Sequence, residues 1–214
     1  MTVKSNTKPT EFTDHHKLYI KEAETRVKDG YIINYTKYDL YLTDFDHDDN
    51  LMPIIHQLQS STGTDDICNV YIQSPGGSSD QGIALSDCLK TTFHNRLDTE
   101  ILYQASSMGS LIFCIGNNRI VNINSRNMMH NYSSGFSGKA SDIKTRVSFF
   151  DDHLTSYIKK LYLDSGFLTK SEFKKMQDGK EYWFTASQML ERGIATHLRA
   201  EGNLWDKKEA KRFL

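Results

Sequence analysis

Strand-type and helix-type segments alternate through the middle of this 214-residue chain, which predicts an α/β domain built on a mainly parallel sheet. Two short apolar runs, CNVYIQS and EILYQAS, have the character of buried strands, and each is followed by a helical pattern. A long amphipathic segment beyond residue 140 adds one extended helix. The length is ample for one hydrophobic core and short for two.

The elements follow in order. Residues 1–30 are polar and charged and read as a loose tail that runs into a short helix. From Tyr31 the segment YIINYTKYDLYLTD is rich in aromatic and β-branched residues, which suits one or two strands. DFDHDDN supplies capping residues before LMPIIHQLQSS, whose apolar spacing is close to 3.6. After the loop STGTDD comes the strand CNVYIQS, then the turn SPGGSSDQG opening the helix IALSDCLKTTF. EILYQAS is a strand leading directly into the short buried helix SMGSLIFCIG, and RIVNINS and NMMHNYS are strands separated by a turn. Ile143, Val147, Phe150, Leu154, Tyr157 and Leu161 recur at threes and fours, predicting a helix over about 140–165. LTKSEFKKMQ and TASQMLERG form a final helical pair. The resulting division is a tail over 1–30, a domain over 31–205 and a C-terminal tail over 206–214.

Composition narrows the function classes. The formal net charge is −1, so no global field draws the chain to nucleic acid or to an anionic membrane surface. No apolar run approaches the roughly 18 residues of a membrane helix, and the polar N-terminus has no apolar signal core. Cys68, Cys88 and Cys114 lie far apart without metal-ligand spacing, and an odd count argues against a disulfide framework. A reducing, cytoplasmic setting fits. Asp44, Asp46 and Asp48 have the spacing of a calcium loop, but Asp49 and Ile55 stand where that loop needs Gly and Glu. His15-His16 has no partner at ligand spacing, and SPGGSSDQG lacks a nucleotide-binding ending. KKEAKR is one basic run in a neutral chain, which is ordinarily a helix face. No metal and no organic cofactor is expected.

YQASSMGSLIF places serines where a strand hands over to a helix. There the first backbone N–H groups lack intrahelical partners, so an oxyanion formed at the corner can be met by backbone donors. Taken alone the pattern is weak, because a serine before a helix is usually an N-cap. His130, taken alone, is equally a core histidine at a strand end.

Three motifs change that balance: SPGG at 74–77, ASSMG at 105–109 and MMHN at 128–131, in that order. Their order and separations resemble those of the ClpP family, the proteolytic subunit of the Clp proteases, in a form that is similar to a phage-encoded or divergent member. The resemblance continues through GFSGKASDI and FTASQMLERGIA and covers about residues 38–200. It implies a ClpP/crotonase-like fold of stacked ββα units with a protruding handle helix. It also implies a serine peptidase in which Ser107 is the nucleophile and His130 its general base. Gly77 and Met108 would give the two oxyanion-hole amides. Ser106 reads as a replacement for the family's small residue beside the nucleophile. The implied assembly is a homo-oligomeric ring, a heptamer or tetradecamer, acting on peptides or unfolded chains with a possible AAA+ unfoldase partner.

The acidic member is open between two residues. Matching WFTA at 183–186 to the family's F-L-S-A puts Glu181 where the family has aspartate, with Asp178 three residues earlier as the alternative. Gly179-Lys180 replaces an acid–arginine pair that the family uses between rings, which bears on a double ring. Two other classes stay in view: a catalytically inactive ring subunit, and a crotonase-like acyl-CoA enzyme. A Ser–Lys dyad lacks its lysine.

Overall fold

The N-terminal segment is stranded where the sequence suggested a tail and a short helix. In the computed structural model, which describes residues 10–11, 16–21, 23–45, 51–60 and 63–214, β1 (Thr10–Glu11) pairs antiparallel with β2 (Lys17–Ile20). A separate hairpin joins β3 (Glu24–Lys28) to β4 (Tyr31–Tyr35). Its turn is Asp29-Gly30, with φ of 52° and 83°, and two positive φ angles give the twist that a two-residue hairpin requires. His16 is fully buried, its ring 5.2 Å from that of Phe45, while His15 lies outside the described residues. Asp44 is exposed, and Asp46, Asp48 and Asp49 also lie outside the described residues.

The core then builds by alternation. β5 (Lys37–Leu42) is followed by α1 (Met52–Ser60), β6 (Ile67–Ser74) and α2 (Ser79–Phe93). β7 (Leu97–Ser106), α3 (Met108–Cys114) and β8 (Asn118–Asn122) continue the pattern. β5, β6, β7 and β8 lie side by side and parallel. Leu40, Val70, Ile72, Ile101 and Val121 from the strands meet Ile54, Leu58, Leu85, Leu89 and Ile112 from the helices in one buried cluster. Burying a side chain of this size stabilises by roughly 1.5–3 kcal/mol, which is why these runs hold their register.

β7 is ten residues long and divides its hydrogen bonds between two neighbours. Its first half pairs with β8, Asp98↔Asn118 through Ile101↔Val121. Its second half pairs in parallel with β9 (Arg126–Met129), Gln104↔Arg126 through Ser106↔Met128. On its other side the register with β6 shifts between Ile72 and Ser74. The strand therefore exchanges β8 for β9 as its neighbour along its length and stays paired on both sides to its end.

The second half of the chain closes over this end. α4 (Ala140–Tyr162) buries Leu154, Ile158, Leu161 and Tyr162, all in its C-terminal half, and its first turns are exposed. α5 (Lys170–Gln177) and α6 (Ala186–Arg192) are the expected helices, but β10 (Tyr182–Thr185) separates them and pairs antiparallel with β9. β11 (His197–Ala200) adds to β8 in parallel, and β12 (Asn203–Asp206) folds back on β11. Where the sequence placed a C-terminal tail, a 3-10 turn over Glu209–Arg212 buries Ala210, and Phe213 lies against Trp205 at 5.5 Å. The result is a mixed α/β architecture with a central sheet and, among the described residues, six α-helices. No helix among the described residues is long and apolar enough to cross a membrane.

Candidate active site

Ser107 occupies the single residue between β7 and α3, at φ 55° and ψ −121°. A side chain in that region of backbone space costs of order 1–3 kcal/mol and persists only where the surroundings over-determine it. They do so here. The Ser107 N–H donates to Met128 O at 3.0 Å, and its carbonyl accepts from the Leu111 N–H at 3.1 Å. Gly76 packs against it so closely that a Cβ there would lie 2.5 Å from Ser107 Cβ. Ser106, its neighbour, is 1% exposed, and its hydroxyl accepts from Gln104 Nε2 at 2.9 Å. Of the two serines, only Ser107 faces the cavity at this corner.

His130 follows directly on β9. Because β9 runs parallel to the end of β7 with Ser106 opposite Met128, two further residues bring the imidazole level with the Ser107 hydroxyl. Nε2 and Oγ are 2.7 Å apart. The ring is half-buried, and burial holds its pKa below the ordinary histidine value, an effect that the charge of Glu181 partly offsets. The imidazole is therefore neutral near pH 7 and able to accept the serine proton.

Gly77 sits in the turn after β6 at φ 131°, where a Cβ would come within 2.0 Å of Phe45 O. Two bonds pin this turn: the Phe45 N–H donates to Gly76 O at 2.9 Å, and the Ser78 N–H donates to Phe45 O at 2.7 Å. Met108 opens α3, so its N–H has no intrahelical acceptor. Among the described residues no acceptor takes either the Gly77 or the Met108 N–H. Both residues line one cavity of about 260 Å³ together with Ser107 and His130. Its wall is mixed: Ile83, Leu111, Leu154 and Ile158 are apolar, while Ser78, Ser79 and Ser133 bring hydroxyls.

The two candidate acids part company. β10 pairs with β9 as Tyr182↔Met129 and Trp183↔Met128, so one further step of the ladder sets Glu181 opposite His130. Glu181 is exposed, its charge acts on the imidazole, and its Oε2 accepts from Trp183 Nε1 at 3.1 Å. Among the described residues no carboxylate is hydrogen-bonded to His130; the acid acts on it through charge. Asp178 ends α5, ahead of the turn at Gly179 (φ 99°), and among the described residues it is neither hydrogen-bonded to His130 nor a charge that acts on it. Sequence reading missed β10 as an element and with it Trp183. Four residues are too few for a visible alternation, and only the match of WFTA to a known segment marked the place.

The sequence model of the Clp protease family matches residues 38–201. The ATP-dependent Clp protease proteolytic subunit 2 of Tropheryma whipplei is 33% identical over 135 residues, which cover 62% of this chain and 73% of that protein. Subunit 1 of Leifsonia xyli is 31% identical over 132 residues, 61% of this chain and 66% of the relative. Subunit 2 of Thermobifida fusca is 35% identical over 131 residues, 58% of this chain and 61% of the relative. The matched span holds the strained serine, its histidine and the turn at Gly76-Gly77, and the chain belongs to the Clp protease family.

Proposed function

We propose that this chain is the proteolytic subunit of a Clp-type protease and hydrolyses peptide bonds as a serine peptidase. The 2.7 Å contact between Ser107 Oγ and His130 Nε2 carries the reading. In the proposed reaction His130 accepts the Ser107 proton as Oγ bonds to the carbonyl carbon of the scissile peptide. The negative charge that develops on the carbonyl oxygen is met by the N–H groups of Gly77 and Met108, each worth roughly 100- to 1000-fold in rate. The imidazolium then protonates the departing amine, the C–N bond breaks, and an acyl group stays on Ser107. Water, deprotonated by His130, attacks the ester and releases the second product. Glu181 favours the imidazolium formed during each proton transfer. Asp178 has no such contact and is set aside.

The same reading supplies the setting. We propose a homo-oligomeric ring, a heptamer or two stacked heptamers, of a ClpP/crotonase-like fold in which the exposed first turns of α4 are the handle. Peptides and unfolded chains are the substrates, an AAA+ unfoldase the partner for longer ones, and the cytoplasm the location. Hydrolysis of short fluorogenic peptides tests the reaction. Wild type should release the fluorophore, and Ser107→Ala and His130→Ala should each lose roughly 10⁶-fold in kcat. Equal turnover by Ser107→Ala and wild type would contradict the proposal.

A further inference from the structure

Glu181 and Trp183 are two residues apart along β10 and its N-terminal extension, so their side chains leave the strand on one face. His130, opposite Glu181 in the continued ladder, is on the neighbouring strand's side of the same face. The indole Nε1–H donates to Glu181 Oε2 at 3.1 Å, and Oε1 has no partner among the described residues. The indole is itself backed by a fixed group. The Arg126 guanidinium lies 6.0 Å from the Trp183 ring centroid and 4.7 Å from that of Tyr103, and Gln104 Oε1 accepts from Arg126 Nη2 at 2.6 Å.

We infer that Trp183 is a positioning residue for Glu181, its indole N–H fixing the carboxylate at the place from which it faces His130. This deepens the proposed function and rests on His130 as the base. A glutamate has one more rotatable bond than aspartate, and ordering an exposed glutamate side chain costs up to roughly 1.5–2 kcal/mol of lost rotamer freedom. Indole nitrogen only donates, so it bonds the ionised carboxylate and cannot itself accept from the imidazole. The clamp therefore fixes one oxygen, and the carboxylate so held acts on the imidazole through its charge.

The remaining charged groups around His130 are engaged elsewhere. Arg126 is bonded to Gln104, Asp151 on α4 accepts from Tyr132 and Thr155, and Lys180 lies 4.8 Å from the Tyr182 ring centroid. Asp178 closes α5. Among the described residues, Glu181 is the group whose charge acts on the imidazole.

The test is a double-mutant cycle in the intact assembly, read by histidine-selective NMR titration of His130 and by the rate of fluorophosphonate acylation. Trp183→Phe should lower the His130 pKa and slow acylation at pH 7 by about tenfold, with peptide KM unchanged. In a Glu181→Ala background, which leaves no carboxylate to position, the same change should alter neither readout. An unmoved His130 titration in Trp183→Phe, an equal effect in the Glu181→Ala background, or faster acylation would each overturn the inference. A His130 shift in a chain that neither acylates nor cleaves peptide would uphold the clamp and refute the peptidase reading instead.

Discussion

Ser107 keeps a side chain at a backbone angle that glycine occupies freely, and the reason lies in what the angle does. At φ 55° and ψ −121° the hydroxyl turns out of the strand toward His130, while the following N–H, that of Met108, opens the helix. A β-carbon at that position is a stability cost, which the proposed nucleophile would require. Ser107→Gly should therefore melt at a higher temperature than Ser107→Ala, by an amount equivalent to about 1 kcal/mol, although both are inactive. Calorimetry of the two variants decides it. Gly76 is bound to the same geometry: its Cβ would sit 2.5 Å from that of Ser107, so Gly76→Ala should remove peptide cleavage even where the fold survives.

The histidine gives a pH prediction at the same scale. Burial lowers the His130 pKa and the Glu181 charge raises it back in part. With the neutral imidazole as the proposed base, kcat/KM should rise with pH through a value below the ordinary 6.5 and then level off. Glu181→Gln removes the raising charge. Its acid limb should move to still lower pH while its plateau falls by at least roughly tenfold. A pH–rate profile with the limb shifted upward would contradict the assignment of Glu181.

At the scale of elements, β9 and β10 set the site, since one aligns His130 with Ser107 and the other brings Glu181 opposite it. The helices flanking β10 are tied together by Glu172 and Arg192. Thr169 caps α5 reciprocally with Glu172, and Glu172 also takes Arg192 Nη2 at 2.8 Å. The Arg192 guanidinium holds the Glu172 pKa down to about 2. Stability from this carboxylate is present above its unfolded value near 4.5 and is lost as pH falls toward 2. Glu172→Ala should cost about 1 kcal/mol at pH 7 by urea denaturation and distinctly less at pH 2, where the carboxylate is partly protonated.

Elements also show where the sequence was readable. The helices and core strands from Lys37 to Val121 announce themselves because each contributes a run of apolar residues to one cluster. The strand-to-helix corner at Ser107 was legible from residue order, but its positive φ was not, since nothing in ASSMG demands it; packing of Gly76 and the bond to Met128 O impose it. The β3–β4 hairpin had a direct signal in Asp29-Gly30, masked by the charged composition of the preceding segment. β10 and β12 are four residues each and form because neighbouring strands offer unpaired edges, which no local pattern records.

At the scale of the whole molecule, the exposed first half of α4 is the most informative surface. Val147 and Phe149 are 46% and 63% exposed on a helix whose later turns are buried, and Phe149 contacts only Phe150 and His153 among the rings described. On the proposed ring, this apolar stretch is covered by another subunit. Phe149→Glu should then lower the native mass to a smaller assembly and reduce peptide cleavage, without unfolding the chain. A native mass equal to that of wild type would remove α4 from the interface.

Reaction of the intact wild-type assembly with a fluorophosphonate, followed by mass spectrometry of the digested chain, addresses the central claim most directly. The adduct should fall on Ser107, reach one per active subunit and vanish in His130→Ala. A wild-type chain that stays unmodified, or one modified at Ser106 with Ser107 untouched, would contradict it.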